Sequence, residues 1–78
     1  MEITLIKNIK TDTSVCHQYL HKKLDMNKTE IEVGKPLRFV YESGVFFGHE
    51  NVIKMWYPHD DTIIIETTNK VWLLEDLL

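Results

Sequence analysis

Residues 62–74 read TIIIETTNKVWLL, and this stretch decides the fold. The first six are β-branched at five positions, a composition that suits a pleated, half-buried strand. Thr68, Asn69 and Lys70 then reverse the chain into residues 71–74, and asparagine tolerates the left-handed backbone that tight hairpin turns need. If the loop is two residues long, Ile63, Ile65, Trp72 and Leu74 share one face. Ile64, Glu66, Leu73 and Glu75 then lie on the other, a mixed and more exposed face.

Period-two patterning extends upstream from this hairpin. Leu37, Phe39 and Tyr41 alternate with Arg38, Val40 and Glu42, and Ser43 with Gly44 turns the chain into Val45, Phe46 and Phe47. The polar trio His49, Glu50 and Asn51 separates that strand from a second β-rich run over residues 52–57, closed by Pro58, His59, Asp60 and Asp61. Ile31 and Val33 alternate with Glu30 and Glu32 until Gly34, Lys35 and Pro36 interrupt them. Residues 1–9 begin as a strand, Ile3 and Leu5 against Glu2 and Thr4, then shift phase at Ile6 and Ile9.

Between these runs the spacing predicts a helix over residues 13–26. Thr11, Asp12, Thr13 and Ser14 are all capable of capping free backbone N–H groups, and Val15, Cys16, Tyr19, Leu20 and Leu24 form one apolar stripe. Gln18, His21, Lys22 and Asp25 fall off it. The expected class is therefore α+β, a single domain over residues 1–78. One N-terminal helix packs on a small antiparallel meander of four to five strands, sandwich- or barrel-like.

Composition bounds the function. The 78 residues carry 9 basic and 12 acidic groups, with 44% hydrophobic residues, and describe one globular unit. A chain this short buries a small core, so self-association or partner binding is an open route to further stability. The longest apolar run is four residues, 71–74, against roughly 20 for a membrane span. The lone Cys16 cannot form an internal bridge, and no secretory segment precedes the fold, so a cytoplasmic protein is expected. Residues 40–78 hold only Lys54 and Lys70 against seven acidic groups, which disfavours phosphate binding by that half.

The chemical motifs are sparse. On the predicted helix His17 and His21 stand four apart, but two imidazoles without a third ligand do not make a metal site, and solvated histidines explain them. Pro58, His59, Asp60 and Asp61 place carboxylates beside an imidazole, yet turns select these same residues. Cys16 reads as core, and the separated Gly34, Gly44 and Gly48 make no phosphate loop. No catalytic residue, metal or cofactor is expected.

Aromatic residues carry the stronger signal. Phe46 and Phe47 are adjacent, as are Trp56 and Tyr57, so at least one of each pair faces outward from its strand. Exposed aromatics beside carboxylates suit a protein contact better than a nucleic-acid one. The candidate partner-binding set is Phe47, Glu50, Trp56, Tyr57, Asp60, Asp61 and Glu66, with Glu75 and Asp76 adding acidity.

Residues 33–74, through VGKPLRFVYESG, HENVIKMW and TIIIETTNKVWLL, resemble short proteins encoded by phages and prophages of Gram-positive bacteria. Trp72 stands where tyrosine is commoner in that pattern, and Lys70 where serine is. The resemblance implies a mobile-element accessory protein that occludes a host protein, a defence nuclease among the candidates. The expected function is thus a non-enzymatic protein-binding inhibitor that meets a basic host surface through an acidic, aromatic β face. The rival expectation is a nucleic-acid regulator using Lys7, Lys10, Lys22, Lys23 and Lys28.

Overall fold

The computed structural model describes residues 1–15 and 18–76. The hairpin is formed by β5 (Thr62–Thr67) and β6 (Lys70–Glu75), joined by Thr68 and Asn69. Ile63 lies opposite Leu74 and Ile65 opposite Trp72, and all four are buried. Around them stand β1 (Glu2–Asn8), β2 (Thr13–Ser14), β3 (Pro36–Val40) and β4 (Phe46–His59). The sheet order is β2-β1-β6-β5-β4-β3, with every strand pair antiparallel.

Two local irregularities explain patterns in the sequence. A register shift between Ile3 and Leu5 lets Ile3 and Ile6 both point inward while Leu5 turns out, so the phase shift in residues 1–9 is a β-bulge. The polar trio at 49–51 does not break a strand, as the sequence suggested. β4 runs through it for 14 residues, pairing with β3 over residues 46–51 and with β5 over residues 52–59. Its change of neighbour curls the sheet. At the β3–β4 turn Gly44 adopts φ +93° and its N–H donates to Tyr41 O at 2.9 Å, a conformation that favours glycine.

The predicted helix over residues 13–26 is absent: β2 and turns occupy that segment, and no described residue is helical. The α+β assignment is therefore corrected to an all-β sheet of six strands. The reason is backbone pairing. Val15 N–H donates to Ile6 O, His21 N–H to Ile3 O and Leu24 N–H to Met1 O along one sheet edge. Asp25 N–H donates to Val40 O, and Glu42 N–H to Lys23 O, along the other. A helix would consume these groups internally and leave both edges open. The adjacent residues Lys23 and Leu24 bridge to Glu2 of β1 and to Tyr41 just after β3 respectively, so this segment forms a seam between those two parts of the sheet. His21 takes φ +62°, which no continuous helix permits. The apolar stripe still meets the core, since Leu24 is buried and Val15, Tyr19 and Leu20 pack against it. Residues 30 and 33, expected in a strand, make only isolated bridges to Arg38 and Val52.

The interior is filled by Ile3, Ile6, Leu24, Leu37, Phe39, Tyr41, Val52, Ile63, Ile65, Trp72 and Leu74. The Trp72 ring lies 5.3 Å from Phe39 and 4.5 Å from His49, and Tyr19 covers His49 at 5.0 Å. No helix among the described residues is long and apolar enough to cross a membrane.

Candidate functional site

The strand register brings four apolar side chains into one row on the solvent face of the sheet. Trp56 of β4 is opposite Ile64 of β5, Ile64 opposite Leu73 of β6, and Leu73 opposite Leu5 of β1. Adjacent strands lie about 4.8 Å apart, so the row spans roughly 14 Å. None of the four is fully buried: Trp56 and Leu5 are 37% and 38% exposed. The inward residues of the same strands fill the core, and among the described residues no strand covers this row.

The rows on either side differ in charge. One holds Lys54, Glu66, Val71 and Lys7, with cations and an anion interspersed. Lys54 Nζ sits 5.0 Å from the Trp56 ring centre. The other places Thr62 opposite Glu75 and Glu75 opposite Glu2. The Asp60 and Asp61 turn lies beside that row, and Asp76 N–H donates to Asp61 O at 2.9 Å. Five carboxylates thus border one side of the apolar row. The Met1 ammonium group lies 3.8 Å from Asp76, and the His21 imidazole 3.3 Å from Glu2.

The predicted site residues divide between face and interior. Trp56, Tyr57, Asp60 and Asp61 are exposed, and Glu66 is half-buried in the mixed row. Phe47 points inward, its ring 4.5 Å from Tyr19 and 5.8 Å from Tyr41, whereas its neighbour Phe46 is 57% exposed beneath Arg38. Glu50 is committed to the β5–β6 turn. Its carboxylate accepts from Thr67 Oγ1 at 2.8 Å, Asn69 N at 3.1 Å and Asn69 Nδ2 at 2.5 Å. Burial pushes its pKa up, but the Asn69 and Thr67 hydrogen bonds and the Lys70 charge outweigh burial and hold it below the ordinary value. Leu5, Ile64 and Leu73 were not among the expected site residues. The hairpin register had already placed Ile64 and Leu73 outward; Leu5 was hidden by the bulge.

Other motifs gain no chemical arrangement. Cys16 and His17 lie outside the described residues, and the helical spacing that paired His17 with His21 does not exist. Among the described residues no group of three or more His, Cys, Asp and Glu side chains is placed to hold a metal. His59 is exposed, and Asp61 accepts from the neighbouring Thr62 hydroxyl. Lys7 pairs with Asp12 at 2.8 Å near one end of β1, while Lys23 bridges to Glu2 at the opposite end, so the basic residues form no single stripe. A groove of about 530 Å3 beside β3 is lined by Glu30, Glu32, Lys35 and Arg38, whose charges pair with one another at 3.2 and 3.8 Å.

Comparison of the chain with protein-family models, with curated proteins and with solved structures finds no match.

Proposed function

We propose that this protein is a non-enzymatic binding module whose outer sheet face docks against a partner protein with a basic surface. The observation that supports this reading is the apolar row from Trp56 to Leu5 bordered on one side by carboxylates. An apolar centre desolvates on contact and supplies affinity, while the acidic border selects a basic partner and steers its approach. Trp56 is the anchor, Ile64, Leu73 and Leu5 extend it, and Asp60, Asp61, Glu75 and Asp76 meet the partner's cations. The likeness of residues 33–74 to phage and prophage proteins favours a host protein as that partner and occlusion as the mechanism. A nucleic-acid role for the lysines of residues 1–39 is disfavoured by their spread around the molecule.

A tagged pull-down from host lysate with and without nuclease, read by mass spectrometry, tests this. The expected result is a stoichiometric protein retained after nuclease and lost with the Trp56→Ala, Asp60→Lys, Asp61→Lys variant. Recovery that vanishes with nuclease overturns the reading in favour of nucleic-acid binding.

A further inference from the structure

We propose that a second copy of this chain pairs antiparallel with the free edge of β4, residues 53–57, about a two-fold axis at Met55. β1 is shielded by β2 and by backbone bonds from Val15, His21 and Leu24, and β3 by bonds from residues 25 and 30. On β4 the cover stops at Val52, which bonds with Gly34 and Lys35. Beyond Val52, β4 pairs with β5 alone among the described residues, and no strand lies along its other side. Unpaired strand edges are templates for further pairing.

The side chains along this edge fit a copy of themselves. Ile53 and Tyr57 are 51% and 62% exposed, without burial to account for large apolar groups. A two-fold at Met55 sets Ile53 opposite Tyr57 of the second copy and Lys54 opposite Trp56. The first is an apolar pair. The second repeats across the contact the cation–ring arrangement that Lys54 and Trp56 make within one chain, and both project from the outer face. Directly opposed residues must share a face in an antiparallel sheet, and Lys54 and Trp56 satisfy this on the outer face. Moving the axis to Lys54 would oppose two ammonium groups.

Register shifts at 52/54 and 56/59 put Ile53 and Tyr57 at irregular positions at the two ends of the pairing, and Pro58 offers no N–H, so contact stays short and closes at two copies. The dimer would set two outer faces side by side and so goes beyond the single-face binding proposed above.

Sedimentation velocity on the full chain at rising concentration tests this directly. The mass is expected to climb from 9.3 kDa toward twice that value, and Ile53→Lys with Tyr57→Lys to stay monomeric with an unchanged circular dichroism spectrum. A cysteine pair then tests the register. In a Cys16→Ser background, Ile53→Cys with Tyr57→Cys should form covalent dimers on oxidation with copper phenanthroline. Positions 53 and 57 lie about 13 Å apart along one strand, too far for an internal bridge. Ile53→Cys alone should not cross-link comparably. Monomers at millimolar concentration, dimers indifferent to the lysine pair, or equal cross-linking by the single cysteine would overturn the proposal. Partner capture is scored separately with the Asp61→Lys, Asp76→Lys variant, whose residues lie outside the 53–57 pairing, so either proposal can fail alone.

Discussion

Trp72 in the core and Glu50 at the sheet's rim are joined through one hydroxyl. Trp72 Nε1 donates to Thr67 Oγ1 at 3.1 Å, and that hydroxyl lies 2.8 Å from Glu50 Oε1. Thr67 is fully buried, and Lys70 O lies 3.2 Å from the same oxygen. The relay ties the largest core side chain to the β5–β6 turn and to β4, three elements that must hold a common register for the outer row to form.

Thr67→Val keeps the shape and removes the hydroxyl, leaving the buried indole N–H without its acceptor. The expected loss is about 1–3 kcal/mol in urea unfolding, because an unsatisfied buried donor bears its full desolvation cost. Thr68→Val, at the exposed neighbouring position, should change stability little. Equal effects at the two positions would remove the relay's claimed role.

Stability should fall at both ends of the pH range for separate reasons. Glu50 has a lowered pKa in the fold, so its contribution is present above the ordinary value of 4.5 and is lost as pH falls through the folded one. Tyr41 behaves oppositely. Burial and the nearby Tyr19 push its pKa up to about 12, and its hydroxyl donates to Tyr19 O at 3.1 Å. The unfolded chain releases that proton near 10.0 and the folded chain only near 12, so stability declines between those values. Midpoints of thermal unfolding across pH should lose part of the acid limb in Glu50→Gln and part of the alkaline limb in Tyr41→Phe.

The hairpin at 62–74 was legible because turn chemistry and alternation agree and neither depends on distant residues. The segment over 13–26 was not, since its Val15, Tyr19, Leu20 and Leu24 spacing fits a helix as well as a chain laid across a seam. What decides is the demand of two open sheet edges for backbone partners, and that demand exists only once β1 and β3 are placed. The exposed face was legible to the same degree. Trp56, Tyr57, Asp60 and Asp61 are identifiable from local pattern. Recognising Leu5 as outward needs the bulge, and seeing that Glu50 serves a turn needs Asn69 and Thr67 brought to it across the sheet.

The β3–β4 turn offers a test free of packing effects. Gly44 holds φ +93° with open space where a side chain would stand, so Gly44→Ala should cost about 1 kcal/mol through backbone strain alone. Gly48 has equally open surroundings without the positive φ, and Gly48→Ala should be neutral or slightly stabilising. A similar loss at both glycines in chemical denaturation would locate the effect outside backbone conformation.

Binding and folding should separate cleanly between the two faces of β4. Trp56→Ala with Asp60→Lys and Asp61→Lys changes exposed side chains, so stability should move by less than about 1 kcal/mol. Affinity for the captured partner should weaken by about 2 kcal/mol or more, roughly thirtyfold, since an aromatic anchor and its flanking charges carry a disproportionate share of interface energy. Phe47→Ala makes the opposite case. Its ring fills space against Tyr19 and Tyr41, so the fold should lose about 3 kcal/mol while the molecules that remain folded bind as before. Calorimetric titration corrected for the folded fraction distinguishes the two. If Phe47→Ala abolished binding by folded molecules and the outer-face variant left it intact, the interaction surface would have to lie on the seam side of the sheet.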